Sequence, residues 1–328
     1  MKTLQFSSIP KFSNLRRREF WSVIVAGVMG LLFTQGCSNN RQYQSNGEPD
    51  ARGFASPEAA AQALADAART DNTGQLLAIF GNDGREIIST GDEVADNQVR
   101  QKFVDLYDKK HSIGDTGTGR KTLVIGENDW PFPVPIVRDG NQWYFDAAAG
   151  KEEILDRRIG RNELSAIQVC AAIADAQKEY ALRNPSSSGL HEYAQKFASD
   201  PGQKNGLYWP AAAGEAPSPL GELAAAATAE GYVRRESGPT PYHGYYYRIL
   251  TAQGPHAPGG AMDYIENGKM VLGFAVIAYP AEYGNSGIMT FIMGNDGVVY
   301  QKDLGPDTEI MALAIKTFDP GPGWQRAE

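Results

Sequence analysis

The sequence has few of the residues that bind metals or form cross-links. Its 328 residues include two cysteines, Cys37 and Cys170, and four scattered histidines. A disulfide framework needs paired cysteines, and metal sites need ligands at short, regular spacing, as in His-Glu-x-x-His or Cys-x-x-Cys. Neither motif occurs. The sequence therefore predicts no metal, no cofactor and no disulfide scaffold, and burial of apolar side chains must hold the fold together.

Positive charge is also scarce. The formal net charge is −8, and residues 1–37 contribute five lysines and arginines against one acid, so a chain without them carries −12. Such an acidic chain lacks a basic surface for phosphate backbones and is repelled by anionic lipid headgroups. Nucleic acid is not an expected partner.

No apolar run is long enough to cross a membrane. The longest, Phe20–Phe33, has about 14 residues, whereas a membrane-spanning helix needs about 20. It follows the basic segment Lys11–Arg18, an arrangement typical of a secretory signal. This segment therefore predicts export rather than a domain.

The end of this signal resembles the lipobox of bacterial lipoproteins, where a small residue precedes a lipid-bearing cysteine. Gly36 precedes Cys37, although Thr34 stands where that pattern prefers Leu, Val or Ile. The resemblance implies a membrane anchor on Cys37 and a place on the periplasmic side of the bacterial envelope, and Ser38 favours the outer membrane. Release after ordinary cleavage is the alternative. Arg17-Arg18 also resembles a twin-arginine signal, but a chance arginine run explains it equally well.

The mature chain is predicted to hold two modules, because its length suffices for two separate cores. The predicted boundaries are 1–37 for the signal peptide, 38–53 for a flexible tether, 54–150 for the first module, 151–162 for a charged connector and 163–328 for the second module.

The first module is predicted to be an α+β cone, in which helices precede a curved antiparallel sheet. Ser56-Pro57-Glu58 is a strong helix start, and Asp139-Gly140 is a strong hairpin turn. The order of elements resembles nuclear-transport-factor-2-like (NTF2-like) and cystatin-like proteins. The predicted elements are helices after Ser56, over Thr73–Phe80 and after Asp96, then strands over Thr122–Gly126, Val134–Arg138 and Gln142–Asp146.

The second module is also predicted to be α+β, a long helix packed on an antiparallel meander. Asn162 is expected to cap a helix of about 20 residues, and Met270–Tyr279 is expected to be one buried central strand because both of its faces are apolar. More weakly, this half resembles the globular heads of type IV pilin-like proteins, without their polymerising helix. The other predicted strands are Tyr245–Thr251, Ile288–Gly294 and Val298–Lys302.

Several motifs in combination resemble the bacterial envelope family named domain of unknown function 2950. They are Trp-Pro-Phe-Pro at 130–133, Arg-Arg-Ile-Gly-Arg-Asn-Glu-Leu at 157–164 and Tyr-Gly-Asn-Ser-Gly-Ile-Met-Thr-Phe at 283–291, with further matches at 145–154 and 297–305. The match extends over nearly the whole mature chain. It implies an envelope protein but no particular reaction.

Two aromatic stretches are the candidate interaction surfaces. Asp129, Trp130 and Phe132 lie among alternating prolines, so they either plug the open end of the cone or face a ligand or partner. The strand residues Tyr245–Tyr247 could stack on a sugar or peptide, although tyrosines are common in strands without a ligand.

Three other features carry alternatives. Gly114–Thr122 nearly spells a phosphate-binding loop, but it follows a helix and leads into a strand, so we interpret it as a flexible loop. Arg157, Arg158 and Arg161 could bind an anion, although neighbouring acids are the expected partners. Cys170 lies on an apolar helical stripe and is expected to be a buried thiol.

The preferred hypothesis is a non-enzymatic binding or scaffold lipoprotein that engages another envelope protein through an aromatic surface. The alternative is a periplasmic hydrolase, or a ligand-binding protein, with its site inside the first cone. Catalysis there needs at least two convergent polar residues. A spacer with no concave site is the third possibility.

Overall fold

Four helices open the described part of the chain, and side-chain caps set where three of them begin. The computed structural model describes residues 51–183, 189, 191–233 and 238–327. The helices are α1 (Pro57–Arg69), α2 (Thr73–Phe80), α3 (Arg85–Ile88) and α4 (Glu93–Lys109), with a 3-10 turn at Asn82–Gly84. Ser56, Asn72 and Asp92 accept hydrogen bonds from the first turns of α1, α2 and α4. The prediction for α1 and α2 is confirmed. α4 begins before Asp96 because Asp92 is its cap.

An antiparallel sheet follows these helices. Its strands are β1 (His111–Gly117), β2 (Arg120–Ile125), β3 (Trp130–Pro131), β4 (Ile136–Asp139) and β5 (Gln142–Phe145). The order is β1-β2-β4-β5, and β3 also pairs with β2. The predicted turn at Asp139-Gly140 joins β4 to β5.

The flexible loop predicted at Gly114–Thr122 is wrong, because this segment forms a hairpin of β1 and β2. His111 lies opposite Ile125, and the pairing continues to Gly117 opposite Arg120. Most side chains of β1 are exposed, so no apolar alternation marks it as a strand. A strand-to-strand hairpin lacks the helix start that a phosphate-binding loop needs.

The first packing cluster joins these helices to the sheet. Its large buried side chains include Phe54, Leu64, Ile79, Phe80, Tyr107, Leu123, Ile125, Ile136 and Phe145. Phe80 and Phe145 meet edge to face, with ring centroids 5.4 Å apart.

One helix, α5 (Ala147–Arg183), runs through the predicted connector and into the second half of the chain. Asn162 therefore lies inside a helix, and its predicted role as a cap is wrong. The charged residues 151–162 are helical as expected. We found no break in α5 at either predicted boundary.

Among the residues described after α5, two helices and nine strands follow. They are α6 (Gly221–Ala229), β6 (Tyr245–Leu250), β7 (Ala252–Gln253), β8 (Met262–Asp263), β9 (Ile265–Glu266), β10 (Lys269–Met270), β11 (Ala275–Pro280), β12 (Met289–Gly294), β13 (Val299–Asp303), α7 (Thr308–Ala314) and β14 (Gln325–Arg326). The main sheet has the order β14-β13-β12-β11-β6.

The long strand predicted over Met270–Tyr279 is wrong in part. The chain leaves β10 at Met270 and enters β11 only at Ala275, with Gly273 at a φ of 157° between them. β11 is buried along its whole length, as the apolar run predicted.

α5 and α7 both pack against β11, and a second cluster of buried residues lies between them and the sheet. Cys170 is part of this cluster and is fully buried, as predicted, and burial raises the pKa of its thiol to about 12. All described residues belong to one compact unit. The division into two modules stays a prediction.

The fold is thus a mixed α+β fold, as the sequence predicted. Within the described ranges, none of the helices combines the length and the hydropathy needed to cross a bilayer.

Candidate functional site: a buried polar seam and an aromatic face

The first aromatic stretch is half-buried rather than free. Phe132 packs into the first cluster beside Phe103 and Phe145, at centroid distances of 5.4 and 6.2 Å. Asp129 is exposed and pairs with Lys110 at 2.7 Å. Trp130 combines both environments: it packs on the cluster while the Arg157 guanidinium lies 5.2 Å from its ring centroid.

We call the exposed side of this stretch, formed by Asp129, Trp130, Pro131 and Arg157, the Trp130 face. Pro131 is exposed on the two-residue strand β3. Phe132 makes its aromatic contacts inside the first cluster, as a plug would. Whether the Trp130 face meets a partner stays a prediction. Arg157 of α5 reaches this face through its contact with the Trp130 ring.

The tyrosines of β6 do not form one surface. Tyr245 is fully buried and donates a hydrogen bond to the Met289 carbonyl at 2.9 Å, so its assignment to an interaction surface is wrong. Successive strand residues point to opposite faces of the sheet. Tyr246 accordingly packs on Tyr279, whereas Tyr247 donates to the Tyr242 carbonyl. Both are half-buried.

Arg157, Arg158 and Arg161 of α5 lie in different surroundings and do not converge on one point. Arg157 pairs with Glu153 at 2.6 Å and covers Trp130. Arg158 is buried, and Arg161 is exposed. An anion site built from all three is not supported by this geometry.

Arg158 is the centre of a buried polar seam, which we define as Arg158, Asn162 and Glu163 of α5 with the 282–289 turn. Its guanidinium donates to the carbonyls of Glu86, at 2.6 Å, and Ile87, and to the Asn285 side chain. Burial lowers the pKa of Arg158 to about 10, with Asp96 opposing that change, so the guanidinium stays charged at neutral pH. Burial also raises the pKa of Asp96.

Asn162 and Glu163 extend the seam along α5. The Asn162 amide donates to the Ser286 carbonyl at 2.9 Å. The Glu163 carboxylate accepts from the backbone N–H groups of Ile288 and Met289 at 3.0 and 2.9 Å, which bridges the start of β12. Residues 158–163 of one helix thereby form hydrogen bonds with Asn285, Ser286, Ile288 and Met289.

Asn285 links this segment back to the first half of the chain. Its amide nitrogen donates to the Ser89 carbonyl at 2.8 Å and to Glu282 at 2.7 Å. Because Asn285 also accepts from Arg158, it joins residues before α4, in α5 and after β11. The seam therefore ties both packing clusters to the same side chains.

Asp92 forms a second tie between the halves. Besides capping α4, it accepts from the Tyr232 hydroxyl at 2.8 Å and from the Gly244 N–H at 3.0 Å. Burial and the Asp92 charge both raise the pKa of Tyr232, which keeps its hydroxyl a donor.

We expect Tyr232→Phe to lower the free energy of unfolding by about 1.5–3 kcal/mol, because a buried hydrogen bond to a charged group is lost. Equilibrium urea unfolding at pH 7 measures this change. Tyr208→Phe is the control: Tyr208 is 38% exposed, and the expected change is within about 0.5 kcal/mol. Equal effects of the two substitutions would contradict the role given to Tyr232.

The interior of the first half offers little to the hydrolase alternative. The large side chains buried in the first packing cluster are mainly apolar. The two buried acids described in this half do not face that interior: Asp92 accepts a hydrogen bond from Tyr232, and Asp96 interacts with the charge of Arg158. Two open depressions, of about 210 and 220 Å³, lie beside α2 and at the start of α4. In the described part of the chain, no three His, Cys, Asp or Glu side chains are grouped to hold a metal.

Sequence reasoning missed the seam, although it singled out both of its halves. The stretches 157–164 and 283–291 carried the family resemblance, and the structure places them in direct contact. Their separation along the chain gave no sign of this pairing. Cys37, the predicted lipid anchor, lies outside the described residues.

The sequence model of one protein family, described as "Protein of unknown function (DUF2950)", matches residues 51–327. No curated protein and no solved structure matches the chain.

Proposed function

The chain belongs to the family described as a protein of unknown function, DUF2950, and we propose that it is an exported envelope lipoprotein that binds another envelope protein. The signal-like N-terminus and the lipobox-like cysteine at position 37 support export and anchoring on the periplasmic side, with the outer membrane favoured. This proposal includes the finer fold assignments, an NTF2-like or cystatin-like first half and a pilin-head-like second half.

The observation that carries the binding role is the Trp130 face. Its tryptophan is held on one side by the first packing cluster and on the other by Arg157, so little conformational entropy remains to be lost on binding. Tryptophan and arginine are the residues most enriched at energetically dominant interface positions. Pro131 lies beside them on an edge strand and is already extended.

The rest of the fold supports a scaffold for this face. The seam fixes α5 to both packing clusters. Arg157 immediately precedes Arg158, whose guanidinium donates three hydrogen bonds within the seam. Trp130, Pro131 and Arg157 of the face are thus presented by a strand and a helix, which favours a preorganised binding surface.

We expect a photo-crosslinking residue in place of Pro131 to form one covalent adduct of discrete mass in intact cells. The same residue in place of Thr116, exposed at the β1–β2 hairpin, is the control and should form none. Trp130→Ala should remove the adduct at position 131 while leaving the circular dichroism spectrum unchanged. Crosslinks of equal yield at both positions, or none at 131, would exclude the Trp130 face as the binding surface.

The anchor is tested separately by native mass spectrometry of protein extracted gently from its own envelope. The proposal predicts an acylated chain that begins at Cys37 and a bound protein, with no discrete metabolite or metal mass. Cys37→Ala should release the chain into the soluble fraction. A tightly bound small molecule would favour the ligand-binding alternative instead.

A further inference from the structure

β1 is an edge strand whose outer side is open. It stands first in the order of the first sheet and pairs with β2, and among the described residues no other strand pairs with it. Every side chain of β1 is exposed or half-buried. Folds usually protect such an edge with lysine, proline or a bulge, because a free edge can add a strand from another chain. β1 contains neither lysine nor proline, and its register shifts only between Asp115 and Gly117, so residues 111–115 form a regular, unprotected edge.

Two hydrogen bonds show which backbone groups of β1 point to the open side. The Leu123 carbonyl of β2 accepts from the Phe132 N–H at 2.7 Å, on the side of β3, and Leu123 lies directly opposite Ile113. One position beyond the ladder, the Lys110 carbonyl accepts from the Gly126 N–H at 2.8 Å, so the residues of even number bond to β2. Opposed residues of an antiparallel pair either exchange both hydrogen bonds or direct both groups away from each other. The outward groups are therefore the N–H and C=O of His111, Ile113 and Asp115.

This edge is complementary to the same edge of a second copy. With two antiparallel β1 strands centred on Ile113, the facing pairs are Ile113 with Ile113, Ser112 with Gly114, and His111 with Asp115. Ile113 packs only partly on the first cluster, so the second isoleucine would cover its exposed part. Each carboxylate meets an imidazole, which binds it when protonated, whereas a centre at Asp115 would place two carboxylates opposite each other, which is unfavourable. A centre at Gly114 would bring Asp115 onto Ile113, so the edge favours one register.

We propose that β1 is a homodimer interface, in which the open edges of two copies pair antiparallel with Ile113 at the two-fold axis. The outward N–H and C=O groups of both strands then bond to each other, and two five-stranded sheets become one continuous sheet. A two-fold interface requires a surface that is complementary to itself, and the 111–115 edge meets this requirement.

The dimer goes beyond the proposed binding role and does not use the Trp130 face. β3, which carries Trp130, pairs with the opposite side of β2 from β1. Thr116 also lies outside the paired segment, because it follows Asp115 at the bulge and its hydroxyl donates to the Arg120 carbonyl of the same hairpin at 3.2 Å. A failure of the dimer therefore leaves the crosslinking test at position 131 unaffected.

The register is tested by disulfide formation between two full-length variants of different mass, Ser112→Cys and Gly114→Cys, co-expressed and mildly oxidised in intact cells. In the dimer these positions face each other without backbone hydrogen bonds, with Cα atoms about 4.5 Å apart, within the disulfide range of about 4.4–6.8 Å. A Cβ atom at Gly114 would meet only ordinary contacts, at 3.6 Å from its nearest neighbours, so this variant should fold. We expect a linked pair that contains one chain of each variant.

Each variant expressed alone is the matched control. Its two introduced cysteines would be diagonal neighbours, about 7–8 Å apart, and should not link. The wild type reports any background from Cys37 and from Cys170, which is fully buried. Linkage only in the co-expressed pair would therefore identify the register as well as the interface.

Hydrogen exchange of the wild-type chain, extracted gently from its own envelope, tests the interface without any substitution. The amides of Ile113 and Asp115 should exchange slowly at high protein concentration and quickly on dilution, because only the second copy accepts their hydrogen bonds. The amides of Ser112 and Gly114 bond to β2 and should stay protected at both concentrations.

Three results overturn the homodimer. They are no linked pair in the co-expressed variants, equal linkage by either variant alone, and exchange at Ile113 that does not depend on concentration. A link from position 112 or 114 to a different protein overturns it as well, because another chain would then occupy the edge.

Discussion

Arg158→Ala is expected to lower the free energy of unfolding by about 3–5 kcal/mol, the cost typical of removing one partner from a buried charged network. The substitution leaves the carbonyls of Glu86 and Ile87 without their donor and leaves Asn285 with one partner fewer. It also removes a positive charge that lowers the pKa of Asp96 and so counteracts the effect of burial on that carboxyl group. Equilibrium unfolding in urea, followed by tryptophan fluorescence and circular dichroism, measures the loss.

Arg157→Ala is the matched control, because it removes the same side chain from the neighbouring position of the same helix. Arg157 is 44% exposed, pairs with the exposed Glu153 and covers Trp130. Such surface pairs contribute about 0–1 kcal/mol. If Arg157→Ala cost as much as Arg158→Ala, the seam would not be what stabilises this junction.

Gly150→Ala is expected to destabilise the protein by about 3 kcal/mol or more, because the added carbon has no space. A Cβ atom at this position would lie 2.6 Å from the Cα atom of Val134 and 2.9 Å from its backbone nitrogen. Backbone atoms cannot rotate away as a side chain can. The first turn of α5 would have to move off the sheet, and thermal unfolding should show a large fall in melting temperature.

Gly160→Ala supplies the opposite result within the same helix. A Cβ atom at Gly160 meets nothing within 4 Å, and the position is exposed. Alanine is the better helix former by about 0.5–1 kcal/mol, so this variant should be more stable than the wild type. Destabilisation by both substitutions would contradict this explanation, because the space around the added carbon would then not be what separates the two positions.

The parts of the fold that could be predicted from the sequence depend on local signals. Ser56 and Pro57 mark the start of α1, and Asp139-Gly140 marks a hairpin, because caps and tight turns are set by residues within a few positions. Strand β1 could not be predicted, because it carries no such local signal. Its side chains are mostly exposed, so its strand character comes from pairing with β2, which no local pattern records.

The predictions that failed are those in which a distant partner decides the role of a residue. Asn162 has the side chain of a helix cap, but it lies within α5 and bonds to the Ser286 carbonyl, 124 residues away. Tyr245 lies on a tyrosine-rich strand, yet α5 and β12 enclose it completely. The seam combines both cases, because the hydrogen bonds made by Arg158, Asn162 and Glu163 all join stretches that are far apart in sequence.

For the candidate site, the sequence indicated some of the residues but not the contacts between them. The tryptophan and prolines of 130–133 indicated an unusual edge segment, and Trp130 does lie at an edge of the sheet on β3. The contribution of Arg157 was not foreseen, since the charge pattern of α5 indicated only pairs along the helix. Its stacking on Trp130 depends on where the helix packs.

The rigid-scaffold account depends on the seam joining both packing clusters into one cooperative unit. Native-state hydrogen exchange tests this most directly, because it reports the opening free energy of β2 and β5 in the first half and of β11 and β12 in the second. The account predicts that the most protected amides of all four strands open with one common free energy, and that Arg158→Ala lowers it equally in both halves. Exchange of one half at a clearly lower free energy, or a loss confined to one half in Arg158→Ala, would contradict the account.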